Sequence, residues 1–199
     1  LETLKRMGDA IAHRGPDANG EYLDNLAGLC HRRLSIIDLS TAGNQPMQSP
    51  NGNYVLVFNG EIYNFLELRA EAQARGYKFK TKTDSEVILA LYQLDGEACV
   101  SKLNGMFAFA IWDRSKKALF LARDRLGIKP LFYSKTDKNH FIFSSELKAI
   151  LTFDVKKEID KASLFNYLQF NYIPTNNSIL ENVKKLNPGH FIFIDGSII

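Results

Sequence analysis

The sequence predicts an α+β domain built in layers. Short segments at 20–23, 28–37, 54–58, 106–112, 118–122, 131–134, 140–143 and 190–194 are aromatic or β-branched and bounded by Gly, Asn, Asp or Pro, as strands are. Helical periodicity is confined to 1–13, 62–75, 84–94, 145–152 and 160–170. The two kinds of segment do not alternate regularly, which favours layers of strands and helices over a doubly wound parallel sheet.

The first helix carries Leu4, Met7 and Ile11 on one side and is expected to end at Arg14-Gly15-Pro16-Asp17, a turn, because proline disfavours helix at the residue before it. If 28–37 is one strand, Cys30, Arg32, Leu34 and Ile36 share a face, and His31, Arg33, Ser35 and Ile37 share the other. Cys30 and His31 then point apart and form no thiolate–imidazolium pair. The apolar run 54–58 meets a polar break, Asn59-Gly60-Glu61, and then a 3.6-residue pattern with Ile62, Phe65, Leu66 and Leu68 on one side. The chain is expected to leave a buried strand at 59–60 and turn there toward a helix. Thr83 and Glu86 read as the N-cap and N3 residues of a capping box opening 84–94. Asp113 to Lys117 reads as a solvated hairpin tip, Arg123-Asp124-Arg125 as an internal ion network, and YIPTNNS at 172–178 as a connector.

With 199 residues, 45% hydrophobic and 12% aromatic, the chain can bury one substantial core. Its 25 basic and 22 acidic residues are interspersed, which argues against a nucleic-acid or anionic-membrane partner. Cys30 and Cys99 make neither a disulfide framework nor a zinc pattern, and the four histidines lack metal-ligand spacing. No apolar run approaches the roughly 20 residues that span a bilayer. A cytoplasmic protein without a metal is expected. The chain begins at Leu1 with helical spacing already under way, so it reads as part of a longer polypeptide.

Three polar clusters are candidates for chemistry, each with a structural alternative. Amides around Asn59-Gly60 and the Asn59 carboxamide are donors suited to a negative oxygen; the alternative is a turn needing φ > 0. Arg33, beside apolar neighbours, needs an anionic partner, either a ligand carboxylate gripped by its fork or an internal carboxylate. Asp84 lies in the first turn of a helix, where the macrodipole favours a carboxylate and where it would also accept from a ligand ammonium. A carboxylate clamp, an ammonium acceptor and an oxyanion site together suit an α-amino acid whose side-chain carbonyl is attacked.

The motifs AHRGPD (12–17), HRRLSIIDLS (31–40), QPM (45–47), FNGEIYN (58–64), TDSEVIL (83–89), LNGMFAFAIWD (103–113), ARDRLGIKPLFY (122–133) and FSSELKA (143–149) run nearly end to end. In them the chain resembles the glutaminase domain of glutamine-hydrolysing asparagine synthetases. That resemblance implies an N-terminal-nucleophile hydrolase fold, an αββα sandwich of two antiparallel sheets between helical layers. It implies hydrolysis of glutamine to glutamate and ammonia, for ATP-dependent amidation of aspartate in a second domain. It assigns the glutamine α-carboxylate to Arg33, the pocket wall to the backbone of Leu34, Ser35, Ile36 and Ile37, the oxyanion hole to Asn59 and Gly60, and the α-ammonium to Glu61 and Asp84. No cofactor is implied here; ATP and Mg²⁺ belong to the synthetase domain, absent from this chain, toward which 172–199 leads. Glutamine and that domain are the implied partners, and a homodimer is left open.

The family's nucleophile is a cysteine directly after the initiator Met, and this chain starts beyond it. Neither Cys30 nor Cys99 is at a chain terminus, so the chain is expected to be inactive as it stands. A pseudo-amidotransferase that binds glutamine or a partner without catalysis is the rival reading.

Overall fold

The structure, a computed structural model, describes residues 1–195. Its helices and strands in chain order are α1 (Glu2–Ala10), β1 (Ala18–Leu23), β2 (Gly28–Arg33), β3 (Met47–Gln48), β4 (Tyr54–Ile62), α2 (Phe65–Ala74), α3 (Asp84–Asp95), β5 (Gly105–Asp113), β6 (Ala118–Arg123), β7 (Phe132–Lys135), β8 (Phe141–Ser144), α4 (Leu147–Ile150), α5 (Lys161–Phe170), β9 (Val183–Lys185) and β10 (Phe191–Ile194).

The long apolar strands β4 and β5 pair antiparallel from Tyr54 opposite Asp113 to Ile62 opposite Gly105, at the centre of a five-stranded sheet ordered β10-β6-β5-β4-β3. Strand alternation gives this sheet two apolar faces. Leu56, Phe58, Ile62, Phe109 and Phe120 pack against Leu68 of α2 and Val87, Ile88 and Leu91 of α3. Val55, Val57, Ala108, Ala110, Trp112 and Leu121 face a second strand layer. That layer is formed by the β1–β2 hairpin and a three-stranded sheet ordered β8-β7-β9. Asp24 ties the hairpin to the first sheet, accepting from Trp112 Nε1 at 2.7 Å and the Tyr22 hydroxyl at 2.8 Å. Met7 of α1 and Ala149 and Ile150 of α4 cover the outside of the second layer, against Cys30, Ile142 and Val183. The order is therefore helices, sheet, strands, helices.

Several local expectations are corrected. The first helical stretch stops at Ala10 and is followed by a single 3-10 turn, Ala12–Arg14. β2 stops at Arg33, because Asp17 captures the Ser35 N–H at 2.7 Å and the Arg33 side chain gathers the loop that follows. β4 does not end at the polar break. It runs through Asn59, Gly60 and Glu61 to Ile62, and α2 starts only at Phe65. The close approach of β4 and β5 explains this: a Cβ on Gly60 would lie 2.1 Å from Met106 O, and one on Gly105 would lie 2.2 Å from Glu61 O. Glycine at both places lets the ladder continue.

Half of the capping box forms. The Thr83 hydroxyl accepts from Glu86 N at 3.3 Å, but the Glu86 carboxylate takes the amides of Lys80 and Thr81 instead of that of Thr83. Arg123, Asp124 and Arg125 are not an ion network. Asp124 accepts from the amides of Phe107, Leu126, Ile128 and Lys129, Arg123 donates to the carbonyls of Gly127, Lys129 and Leu186, and Arg125 donates to those of Leu103 and Ser101. They bind backbone and brace the 124–130 loop. β3 and β9, of two and three residues, were not expected. Of the expected 172–199 segment, residues 196–199 lie outside those described.

Candidate functional site

At the polar break β4 has β5 on one side and, beyond the two-residue β3, no strand on the other. Side chains serve this open edge. Gln45 Oε1 accepts from Phe58 N at 2.6 Å and its Nε2 donates to Ser85 Oγ at 3.3 Å; Asp84 Oδ2 accepts from Ile62 N at 3.0 Å. In a strand, N–H groups of alternate residues point to the same side. Gly60 lies between Phe58 and Ile62, so its N–H faces this edge too. Its register partner Phe107 agrees: the Phe107 N–H and C=O are bound to Asp124, on the side away from β4. The Asn59 side chain follows Val55 and Val57 onto the opposite face, toward the second strand layer.

A cavity of about 220 Å³ opens at this edge. Arg33, Glu61, Asp84, Asn59 and Gly60 all line it, so the three separated segments singled out in the sequence meet at one place. Leu34, Ile36 and Ile37 also line it. Ser35 does not, its N–H having been drawn to Asp17.

The Arg33 guanidinium is buried and has no carboxylate within ion-pairing distance among the described residues. Nη1 donates to Ser40 O at 2.7 Å and Asn44 Oδ1 at 2.8 Å, and Nη2 donates to Asp38 O. An arginine offers five N–H donors. These three contacts close the 34–44 loop over the cavity and leave two donors. Gly43 fits flat against this group; a Cβ there would lie 2.4 Å from Arg33 Nη2.

Asp84 is buried at the start of α3, where Thr83 supplies the N-cap. Burial foremost, with the Glu61 carboxylate adding to it, raises the Asp84 pKa against the lowering effect of the Ile62, Ser85 and Asp84 amides. A pair of carboxylates in such a place is relieved by a cation. His31 forms the floor between β2 and β4. Its Nε2 lies 3.1 Å from Phe58 O, and because a carbonyl only accepts, Nε2 carries the proton. Burial, with Arg33 nearby, drives the His31 pKa down to about 4, so the ring is neutral.

The sequence reading missed Arg14, Gln45, Met106 and Lys129, which line the same cavity. Arg14 had been assigned to a turn. QPM at 45–47 entered only through the family resemblance, since nothing in an isolated glutamine signals that it will cap a distant strand.

The sequence matches the family described as Glutamine amidotransferase domain over residues 1–198. The chain belongs to that family. It is 44% identical over 199 residues to Asparagine synthetase [glutamine-hydrolyzing] 1 of Bacillus subtilis, an alignment covering 99% of this chain and 31% of the relative. It is 48% identical over 141 residues to Asparagine synthetase B [glutamine-hydrolyzing] of Escherichia coli, covering 71% of this chain and 25% of the relative. The amidotransferase domain thus spans about a third or less of the length of these curated relatives. Its fold is shared with the glutamine phosphoribosylpyrophosphate amidotransferase of B. subtilis, with a TM-score of 0.70 and 17% identity over 98% of this chain and 45% of that one. The αββα sandwich of the N-terminal-nucleophile hydrolases, expected from the motifs, is the fold of this amidotransferase domain.

Proposed function

We propose that the cavity binds L-glutamine and that residues 1–199 are the glutaminase part of a glutamine-hydrolysing asparagine synthetase in the cytoplasm, with 172–199 leading to its synthetase domain. One observation carries this reading: an unpaired guanidinium, two carboxylates and a strand-edge amide share one cavity of about 220 Å³. Drug-sized ligands take about 300–1,000 Å³, so this volume suits a small polar molecule. Glutamine fits by charge, with its α-carboxylate on the two remaining donors of Arg33, its α-ammonium between Glu61 and Asp84, and its side-chain carbonyl toward Gly60 N–H and the Asn59 carboxamide. Leu34, Ile36 and Ile37 form the wall.

Neither thiol of the chain is the nucleophile. Burial above all pushes Cys30 up to about 11 and Cys99 up to about 12, so both stay protonated, and neither lines the glutamine cavity. The attacking thiol on this reading belongs to a cysteine upstream of Leu1. A second cavity, about 350 Å³, has room for such a segment: β2 and β8 line it, each with one strand partner only among the described residues, and Leu1 stands at its wall. It adjoins the first cavity at Arg14, His31 and Asn59.

The reaction then proceeds in two halves. The cysteine sulfur bonds to the side-chain carbonyl carbon while its proton passes to the free α-amine of the same residue. The carbonyl oxygen takes the negative charge against the Gly60 and Asn59 donors. Collapse breaks the C–N bond, returns the proton to the leaving nitrogen and releases ammonia. Water hydrolyses the remaining thioester to glutamate and free thiol. Delivery of ammonia for ATP- and Mg²⁺-dependent amidation of aspartate belongs to the synthetase domain of the longer polypeptide.

In the full-length gene product, Asn59→Ala is expected to lower glutaminase turnover about 10²–10³-fold while synthesis from free ammonia survives. Equal loss of both activities contradicts the oxyanion role. Because the chain holds no reactive thiol of its own, a glutamine-binding domain without catalysis is the alternative, and a gene with no cysteine after its initiator Met establishes it.

A further inference from the structure

We propose that Gln45 is a positioning residue for the oxyanion site at Asn59-Gly60, its carboxamide standing in for a peptide group of a strand that stops short; this deepens the glutaminase reading and rests on it. β3 pairs Met47 with Leu56 and Gln48 with Val55. Carried on in that register, the chain would set Gln45 opposite Phe58 and Gly43 opposite Gly60, and the backbone of residue 43 would bond the Gly60 N–H. It turns away instead. The Gln45 main-chain carbonyl packs so close to Gly20 of β1 that a Cβ there would collide with it, and Gly43 ends a 3-10 turn against the Arg33 guanidinium. The edge of β4 is thereby open at Gly60, as a ligand there requires.

The same diversion would deprive the Phe58 N–H of a partner. The Gln45 side chain supplies one, its Oε1 accepting at 2.6 Å from the very amide that its own backbone would have faced in a longer β3. A carboxamide carries the acceptor and the donor of a peptide group, so β4 meets the same chemistry. Phe58 O, on the same edge, lies 3.1 Å from His31 Nε2, and the Ile62 N–H donates to Asp84 at 3.0 Å. Of the three N–H groups along this stretch, at Phe58, Gly60 and Ile62, both outer ones are held by side chains. The middle one is left for a ligand.

The other end of the carboxamide decides its role. Capping the Phe58 N–H takes only an acceptor, but Gln45 Nε2 also donates to Ser85 Oγ at 3.3 Å, and Ser85 follows Asp84 in the first turn of α3. The contacts close a ring that runs from Phe58 through Gln45, Ser85 and Asp84 to Ile62 and returns along β4, with Gly60 midway. Phe58, Gln45, Ser85, Asp84 and Ile62 are all buried, so water does not compete for these bonds. Donors fixed before charge develops stabilise it most. The ring fixes the Gly60 N–H relative to Asp84, to which the glutaminase reading assigns the α-ammonium, so that seating the substrate aims its side-chain carbonyl at the donors. Gln45 lines the cavity, but both of its polar atoms are engaged within the protein, so it acts through Phe58 and Ser85.

The test is steady-state glutaminase kinetics on the full-length gene product, native, Gln45→Met, Ser85→Ala and the double variant, each assayed well below its melting temperature. Gln45→Met keeps the length of the side chain and removes its carboxamide. It should lower kcat about 10- to 100-fold, a part of what losing an oxyanion donor costs, and leave KM for glutamine within about threefold, because Arg33, Glu61 and Asp84 still hold the zwitterion. Ser85→Ala breaks only the bridge and leaves the Phe58 N–H capped, so it decides the matter even if Gln45→Met folds poorly; kcat should fall about three- to tenfold. The double variant should be no slower than Gln45→Met, since Ser85 acts through Gln45. Native kcat in Ser85→Ala, a raised KM at native kcat in Gln45→Met, or losses that multiply in the double variant overturn the proposal. Where the native protein hydrolyses glutamine and the variants match it, this inference alone fails; where the native protein hydrolyses none, the glutaminase reading fails and takes this inference with it.

Discussion

Protonating His31 must cost the fold heavily, and the cost is measurable. Burial takes its pKa from 6.5 to about 4, with its Nε2–H fixed on Phe58 O and its Nδ1 buried without a partner. Because the folded value lies below the ordinary one, the stabilisation is complete above 6.5 and is lost as pH falls toward 4. At about 1.4 kcal/mol per pH unit the loss reaches about 3 kcal/mol near pH 4. His31→Gln keeps an N–H donor for Phe58 O and has no proton to gain. Urea unfolding of both proteins from about pH 7 to about pH 4 isolates the effect, since carboxylates titrate alike in each. The stability advantage of the native chain over the variant should shrink by about 3 kcal/mol across that range. Parallel pH profiles would refute the placement of a buried neutral imidazole between β2 and β4.

Gly60→Ala places a Cβ 2.1 Å from Met106 O and 2.8 Å from Phe107 Cα, both backbone, so no rotamer relieves it; thermal unfolding should show a loss of about 3 kcal/mol. Gly8→Ala, with Arg32 Nε and Cys30 Sγ at 3.7 Å as nearest neighbours inside α1, should gain about 1 kcal/mol in the same assay, and equal behaviour of the two variants contradicts the register. Asp84→Asn keeps an acceptor for Ile62 N–H and removes a buried charge. Since the Asp84 pKa is raised, native stability falls as pH climbs from the ordinary aspartate value to the raised one; the variant should lack that fall, while its glutamine affinity drops about 10- to 100-fold by calorimetry. Arg33→Lys cannot hold Ser40 O, Asn44 and Asp38 O together, so limited proteolysis within 34–44 should quicken about tenfold and glutamine binding weaken. Unchanged cleavage and affinity would remove Arg33 from both roles.

The layers were legible because their signals are local. The apolar runs at 54–58, 106–112 and 118–122 fill the central sheet, and Thr83 before an apolar 3.6-residue pattern opens α3 as expected. The break at 59–61 was located correctly and understood wrongly. Asn-Gly is a local signal for a turn, and what keeps this stretch extended is non-local: Gly105 on β5, opposite Ile62, and the Asp84 carboxylate on Ile62 N. The same limit applies to Arg33. An anionic partner was expected for it, but its side chain donates to Asp38 O, Ser40 O and Asn44 Oδ1, contacts that depend on where the following loop folds back. Arg123 and Asp124 looked like partners because opposite charges adjoin in sequence; Arg123 ends β6, Asp124 opens the loop, and each instead found backbone groups. Gln45 carried no signal at all outside its motif.

A crystal structure of residues 1–199 with L-glutamine tests the site most directly, because on the proposed reading the attacking cysteine lies upstream of Leu1 and bound glutamine should persist. The α-carboxylate should lie on Arg33, the α-ammonium between Glu61 and Asp84, and the side-chain oxygen about 2.7–3.1 Å from Gly60 N. Glutamine seated in another cavity, or held with its side-chain amide turned away from Gly60 and Asn59, would contradict it.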